Sequence, residues 1–79
     1  MKLREIRHQT GYEFFFKFEN GEGKLVDLKD LISDYVDQSE LVTAEINQEW
    51  GCLEFKNGKV DIEPKTLYQY AYSPSKNQN

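Results

Sequence analysis

One stretch of the sequence decides the fold: Leu53-Glu54-Phe55-Lys56-Asn57-Gly58-Lys59-Val60-Asp61-Ile62-Glu63-Pro64-Lys65-Thr66-Leu67-Tyr68. Asn57-Gly58 predicts a hairpin with a type I′ turn, because both residues tolerate the positive φ angles that this turn requires. Pro64 predicts the start of a short helix, because its φ is preset and the first helical position needs no N–H. The stretch therefore predicts a strand, a tight turn and a helical turn that returns Leu67 and Tyr68 to the sheet.

Residues 12–19 predict the central strand of the core. Apolar and charged side chains alternate almost strictly there, which is the period of a strand with one buried face. Each buried Phe-sized ring contributes about 1.5–3 kcal/mol, so this strand would supply most of the driving force for folding. Phe15 breaks the pattern and points to the polar side, where it either lies under the C-terminal segment or forms part of a contact surface. The predicted buried face is Tyr12, Phe14, Phe16 and Phe18.

The strands before and after this segment complete an antiparallel meander. Residues 2–8 predict a first strand, joined through the turn at Thr10-Gly11. Residues 24–27 predict a third strand, joined through Asn20-Gly21-Glu22-Gly23, whose residues accept positive φ.

The period of the apolar residues then changes to that of a helix. The spacing predicts a helix of about two and a half turns, with Asp27 as its N-cap. Its apolar face would be Leu28, Leu31, Ile32, Tyr35 and Val36. On the opposite side, Asp27, Asp30, Asp34 and Asp37 predict an acidic stripe, which is either a solvated face or a dock for a basic partner.

Two more strands are predicted after this helix, over residues 41–48 and 52–56, with a turn at residues 48–51 between them. The fold class is therefore α+β, a small antiparallel sheet with element order β-β-β-α-β-β followed by a short C-terminal helix. Residues 1–72 are predicted to form a single domain, and residues 73–79 a disordered polar tail, because this last segment has no apolar member.

Composition narrows the cellular setting and the classes of partner. With 79 residues there is room for one domain, and the single cysteine, Cys52, cannot form an internal disulfide. We therefore expect a reducing, cytoplasmic compartment. No apolar run approaches the roughly 20 residues of a membrane helix, and residues 1–5 lack the apolar segment of a signal peptide. A formal net charge of −4 disfavours nucleic acid as a partner.

No catalytic, cofactor-binding or metal-binding constellation is predicted. A nucleophilic site needs Cys52 or a serine beside a histidine base, but the single histidine, His8, lies in a different predicted strand. A zinc site needs three or four ligands with paired spacing. Gly21 and Gly23 end a hairpin instead of leading a strand into a helix, so they do not form a phosphate-binding loop. We expect no enzyme activity and no cofactor; an unrecognised small enzyme is the third hypothesis.

The motifs above resemble those of a family of short bacterial proteins catalogued as a domain of unknown function, typified by the N-terminal domain of a nitrosomonad protein. The resemblance covers residues 3–68 and rests on Phe18-Glu19-Asn20-Gly21, on Val26-Asp27-Leu28 and on an aromatic-x-Asn/Asp-Gly-x-Asp-Ile/Leu-x-Pro-x-x-Leu-Tyr signature. Two departures are Phe55, where members usually carry tryptophan, and one extra residue in Lys59-Val60. The signature residues here are Asn57, Gly58, Asp61, Pro64, Leu67 and Tyr68.

The resemblance implies no established activity. It implies that members occur alone, fused to helix-turn-helix domains, or encoded beside a second small protein in pairs that look like toxin and antitoxin. For Asp61 and Tyr68 we expect structural roles, Asp61 as an acceptor for amides of the following turn and Tyr68 at the edge of the core.

The leading hypothesis is a non-catalytic protein-interaction module that binds another small protein, either toxin-like or regulatory, or a copy of itself. Excess aromatic residues and an unpaired sheet edge motivate it. The predicted partner contacts are Phe15, Trp50, Tyr70 and Tyr72. The alternative is nucleic-acid-linked transcriptional regulation through the basic first strand, which carries Lys2, Arg4, Arg7 and His8.

Overall fold

Residues 1–73 are described by the structure, a computed structural model. They form two three-stranded antiparallel sheets with two α-helices and one 3₁₀-helix. The predicted α+β class and the C-terminal helix are confirmed, but a sixth strand precedes that helix and the strands form two sheets, where the sequence predicted one. Most of the predicted disordered tail, residues 74–79, lies outside the described residues.

The first sheet has the strand order β1-β2-β3, with β1 at Leu3–His8, β2 at Glu13–Phe18 and β3 at Gly23–Asp27. As predicted, β2 is the central strand. Phe14, Phe16 and Phe18 are fully buried on one face of it. Tyr12 is half-buried and donates a hydrogen bond of 2.7 Å from its hydroxyl to the Val36 carbonyl oxygen.

The helix predicted over residues 28–36 is much shorter than expected. Helix α1 covers only Lys29–Ile32, and the Asp27 carboxylate accepts a hydrogen bond from the Lys29 amide at 2.9 Å. Beyond Ile32 the chain forms a turn, because Ser and Asp are poor residues for a helix interior. The turn still buries Val36 but leaves Tyr35 65% exposed, so Tyr35 was wrongly assigned to the buried face.

The strand predicted over residues 41–48 is also largely replaced. A 3₁₀-helix occupies Gln38–Thr43, and only Glu45–Ile46 remains extended, as β4. The 3₁₀-helix begins with a capping box: the Asp37 and Glu40 side chains each accept a hydrogen bond from the other residue's backbone N–H. These local bonds outcompete the strand, and as a result Val42 is 84% exposed.

The second sheet has the order β4-β5-β6, with β5 at Leu53–Phe55 and β6 at Val60–Ile62. β6 is a sixth strand that the sequence reading did not separate from the turn before it. The predicted turn is confirmed: Asn57 has a φ of 61° and Gly58 a φ of 88°, and the Lys59 amide donates to the Lys56 carbonyl at 3.2 Å.

Helix α2 covers Pro64–Ala71 and begins at the proline, as predicted. Leu67 is fully buried, and Tyr68 packs edge-on against Phe18 with ring centroids 5.2 Å apart. The expected capping role of Asp61 is wrong. Asp61 lies in β6, opposite Glu54. The N-cap residue of α2 is Glu63, whose side chain makes no capping hydrogen bond.

One core joins the two sheets. Phe14 of the first sheet meets Phe55 of the second edge-on, at 6.0 Å between ring centroids. Lys56, directly after β5, ties the second sheet to the segment of chain that connects the two sheets. Its amide donates to Thr43 Oγ1 at 2.8 Å, and its ammonium group donates to the Tyr35 carbonyl at 3.1 Å.

Candidate protein-interaction surfaces

The first sheet presents one face to the core and another away from it. We call the second the outer face, and its register places Arg7 opposite Phe15, and Phe15 opposite Leu25. A shallow hollow of about 630 Å³ lies over these side chains. The residues that line it are Glu5, Arg7, Gln9, Phe15, Lys17, Gly21, Gly23 and Leu25. None belongs to a helix or to the second sheet, so no element within residues 1–73 covers the hollow.

The Phe15 ring lies across Gly23. A Cβ atom placed on Gly23 would be 2.6 Å from Phe15 Cζ, so only glycine leaves room for the ring in this position. The neighbouring strands make Phe15 half-buried, and the described part of the C-terminal segment contributes no residue to the hollow. Leu25 beside it is 52% exposed. The outer face is therefore apolar at its centre.

Charged side chains surround this apolar centre. Arg7 Nε lies 2.8 Å from Glu5 Oε2, in an exposed ion pair. Lys17 is exposed and makes no ion pair with any residue that the structure describes. The surroundings of the apolar centre are thus of mixed charge, with one cation uncompensated.

Two of the predicted contact residues, Tyr70 and Tyr72, lie on the edge of β3. The Tyr70 hydroxyl donates to the Asp27 carbonyl at 3.4 Å, and the Tyr72 hydroxyl donates to the Gly23 carbonyl at 3.3 Å. Both are half-buried. The helix α2 thereby supplies partners to the strand edge that faces away from β2.

Tyr68 strengthens the same contact. Its hydroxyl donates to Glu22 Oε1 at 2.5 Å, and Asn20 also donates to this carboxylate, at 2.9 Å. These hydrogen bonds lower the pKa of Glu22, and the bond to Glu22 is the main cause that raises the pKa of Tyr68.

Trp50, the fourth predicted contact, lies on another part of the molecule. Asn47 shapes its turn, because Asn47 Oδ1 accepts hydrogen bonds from the amides of both Glu49 and Trp50, each at 2.9 Å. The indole is 65% exposed and borders a hollow that shares no residue with the outer face. The four predicted contact residues therefore do not form one surface.

Cys52 and His8 do not come together. His8 Nε2 lies 2.7 Å from the Gly11 carbonyl oxygen, and its ring stacks on Phe14. Cys52 follows Gly51, which bonds to Leu3 at the start of β1, whereas His8 ends this strand about 17 Å away. Burial, then the charges of neighbouring carboxylates, raise the pKa of the Cys52 thiol and so disfavour the nucleophilic thiolate. Residues 1–73 contain no group of three or more side chains placed to hold a metal ion.

The residues of the basic first strand are not gathered into one positive patch. Arg7 is paired with Glu5 on the outer face, whereas His8 is on the opposite face of the same strand, against Phe14. Lys2 packs its aliphatic carbons against Gly51. This dispersal favours the interaction hypothesis over the nucleic-acid hypothesis.

Comparison with protein families identifies the chain. Residues 3–73 match the family described as "Protein of unknown function (DUF2442)". The chain belongs to the DUF2442 family. Comparisons with curated proteins and with solved structures found no match. Within the described residues of this DUF2442 chain, no helix is both long and apolar enough to span a membrane.

A second apolar hollow of this DUF2442 protein was not predicted. We call it the α1–β6 groove; it has about 300 Å³ and lies between α1, β6 and the start of α2. It exists because the chain leaves the helix after Ile32, which places the exposed Tyr35 ring at the rim. The helical spacing of the apolar residues placed Tyr35 on the buried face, so this spacing alone predicted the wrong environment for its ring. The lining residues are Leu31, Ile32, Tyr35, Val60, Asp61, Ile62, Glu63 and Thr66.

Proposed function

We propose that this DUF2442 domain is a non-catalytic protein-interaction module whose outer face binds another protein. The partner is a toxin-like or regulatory protein, in keeping with the paired small proteins that the family resemblance implies. The proposal extends beyond the family assignment, which names no activity.

The observation that carries the proposal is the uncovered pair of Phe15 and Leu25. The two residues are cross-strand neighbours, and Leu25 leaves half of its surface in water. Contact between proteins removes such apolar surface from water and stabilises the complex by roughly 25 cal/mol per Å² buried, before the costs of association. An aromatic residue at the centre of a patch with a charged rim is the usual composition of an interface core.

The bonding at the edge of β3 favours a partner that binds the outer face over a partner that adds a strand to this edge. The hydroxyls of Tyr70 and Tyr72 already donate hydrogen bonds to carbonyl oxygens on this edge. A strand could therefore pair there only after helix α2 had been displaced. The outer face requires no such rearrangement.

Co-purification of the full chain with the product of the neighbouring reading frame tests the proposal. We expect the wild-type chain to form a complex and Leu25→Asp to lose it, because a carboxylate would be buried against the partner. Val42→Asp is the matched control, since Val42 is also exposed but lies outside the outer face. Circular dichroism checks that both variants fold.

Native mass measurements at several concentrations separate a foreign partner from self-association. A complex that Leu25→Asp and Val42→Asp weaken equally contradicts the assignment to the outer face. A chain that stays a monomer and captures no neighbour's product contradicts the interaction role itself.

A further inference from the structure

The outer face has an excess positive charge at one end. Side chains two residues apart in a strand lie on the same face of the sheet, so Lys17 shares this face with Phe15. Lys17 stands opposite Glu5 in the register, but the Glu5 carboxylate is already 2.8 Å from Arg7 Nε. Because the ion pair of Glu5 and Arg7 is neutral, Lys17 is the uncompensated charge at this end.

The other end of the outer face has an excess negative charge. Glu13 lies two residues before Phe15 in β2, and it stands opposite Asp27 of β3. Lys29 lines a neighbouring hollow together with both carboxylates, but this single cation leaves one negative charge uncompensated. Neither carboxylate forms an ion pair with a residue in the described range 1–73. The two ends are therefore of opposite sign, with Phe15 between them.

A two-fold axis through the centre of the face brings opposite ends of two copies together. Sheets pack face to face about 10 Å apart, with their strands aligned to within about 30°. When the axis crosses β2 at Phe15, at right angles to the strand, β2 of one copy lies antiparallel to β2 of the other. Lys17 of each copy then faces Glu13 of the other. In the centre, Phe15 meets Phe15 and Leu25 meets Leu25.

The charges select this arrangement over the other symmetric one. A two-fold axis parallel to β2 would place Lys17 on Lys17 and Glu13 on Glu13, where like charges repel each other. The antiparallel arrangement does bring Arg7 of the two copies together, but each is neutralised by its own Glu5. The outer face is thus complementary to itself in the antiparallel arrangement.

We infer that, when no foreign partner is bound, the outer face binds the outer face of a second copy of this chain in an antiparallel two-fold dimer. Phe15 and Leu25 form the apolar centre of the contact, and two ion pairs between Lys17 and Glu13 fix its register. This inference rests on the proposed function, because it gives a second occupant to the same interaction surface. A foreign partner then competes with the second copy for Phe15 and Leu25.

The size of the outer face makes this dimer weak. Three strands about 4.8 Å apart, with about five residues of 3.4 Å each, give a footprint of roughly 14 by 17 Å on each copy. Stable complexes bury about 800 Å² of accessible surface per partner, which is more than this footprint offers. The net charge of −4 on each copy adds a repulsion that salt screens. We therefore expect a dissociation constant on the order of 0.1 mM.

Sedimentation equilibrium of the full chain, at concentrations up to about 1 mM, tests the inference. We expect Lys17→Glu and Glu13→Lys each to weaken the dimer about tenfold, because both ion pairs become contacts between like charges. The matched controls Lys59→Glu and Glu49→Lys change the net charge equally at exposed positions outside the outer face. For these we expect less than about a twofold change. Circular dichroism checks that all four variants fold.

A mixture of the two outer-face variants gives a second readout. The Lys17→Glu chain is negative at both facing positions and the Glu13→Lys chain is positive at both, so a heterodimer recovers two ion pairs. We expect this heterodimer to form where each variant alone is largely monomeric. Native mass spectrometry with one variant labelled with nitrogen-15 identifies it. The double variant Lys17→Glu/Glu13→Lys should dimerise as the wild type does.

Three results would overturn the inference: a wild-type chain that stays monomeric at about 1 mM, equal losses in the outer-face and control variants, or a mixture that forms no heterodimer. None of them affects the proposed function, which is tested by co-purification with the neighbouring product. Conversely, failure to capture that product while the wild-type chain dimerises contradicts the foreign partner and leaves the dimer in place.

Discussion

Gly51 shows how one residue sets the approach of the two sheets. It is buried with a φ of +74°, and a Cβ atom there would be 2.5 Å from Lys2 Cβ and 2.9 Å from Lys2 Cα. The Leu3 amide donates to its carbonyl at 3.1 Å. The first strand therefore lies directly against the backbone of the turn before β5, in a space that only glycine leaves open.

Gly51→Ala should destabilise the fold far more than Gly21→Ala. Gly21 has a φ of +91° but nothing within 4 Å of the added Cβ, so its substitution costs only the left-handed conformation, about 1–2 kcal/mol. Gly51→Ala has the same conformational cost and also overpacks the site against Lys2, which costs about 1–3 kcal/mol more. Urea unfolding, fitted with one common m-value, measures the free energy of unfolding of both variants. Equal losses of stability would contradict the close approach of Lys2 to Gly51.

At the scale of elements, the contact between α2 and β3 explains why the C-terminal tyrosines are not free. Three hydroxyls of α2 and of the residue that follows it reach the strand or the turn before it: Tyr68 to Glu22, Tyr70 to Asp27 and Tyr72 to Gly23. Lys24 adds its ammonium group 5.1 Å from the centre of the Tyr72 ring. An edge strand with unpaired carbonyls invites pairing with other chains, and this helix suppresses it.

Tyr68→Phe should reduce stability near neutral pH and less so in acid or alkali. The folded chain has a lowered Glu22 pKa, so the stabilisation is present above the ordinary value of 4.5 and is lost as pH falls through the folded pKa. The raised pKa of Tyr68 makes its contribution present below 10 and lost as pH rises through the folded pKa. Urea unfolding across this range measures the difference between wild type and variant.

Tyr12→Phe is the control for this pH dependence. The Tyr12 hydroxyl donates to the Val36 carbonyl, an acceptor that does not titrate. Its effect on stability should therefore stay constant in acid, whereas that of Tyr68→Phe shrinks. Parallel pH profiles for the two variants would contradict a role for the Glu22 carboxylate.

For the whole molecule, one aromatic core holds two small sheets together. Phe14 stacks with Phe16 at 5.8 Å and meets Phe55 edge-on, so the contact passes from the first sheet to the second. A domain of this size buries a smaller share of its surface than larger ones, and no disulfide supports it. Its stability therefore depends on a few large rings.

Phe16→Ala should strongly destabilise the fold at 25 °C. Phe16 is fully buried, and truncation of such a ring costs about 3–5 kcal/mol, a large part of the 5–15 kcal/mol that is typical of folded domains. Val42→Ala, at an exposed position, should change stability by less than about 0.5 kcal/mol. Circular dichroism with urea distinguishes the two, and a cooperative transition of Phe16→Ala at the wild-type midpoint would contradict this account.

Sequence reasoning succeeded where the structure depends on neighbouring residues. Alternation in residues 12–19 predicted β2, Asn57-Gly58 predicted the left-handed turn, and Pro64 predicted the first residue of α2. It failed at residues 37–43, although Asp37 and Glu40 stand at capping-box spacing, because the alternation of Val42, Ala44 and Ile46 was given more weight. The family assignment also followed from local motifs.

The sequence by itself determined the fold class, the buried faces of the strands and the turn types, because side-chain period and φ preference act over a few residues. Only the tertiary structure decided that the strands divide into two sheets, that the tyrosines of α2 bind the β3 edge, and that Phe15 remains uncovered within residues 1–73. These outcomes depend on contacts between segments far apart in the chain, such as Tyr72 with Gly23. No local pattern encodes the distance between two such segments, so the candidate surfaces emerged only when the chain was folded.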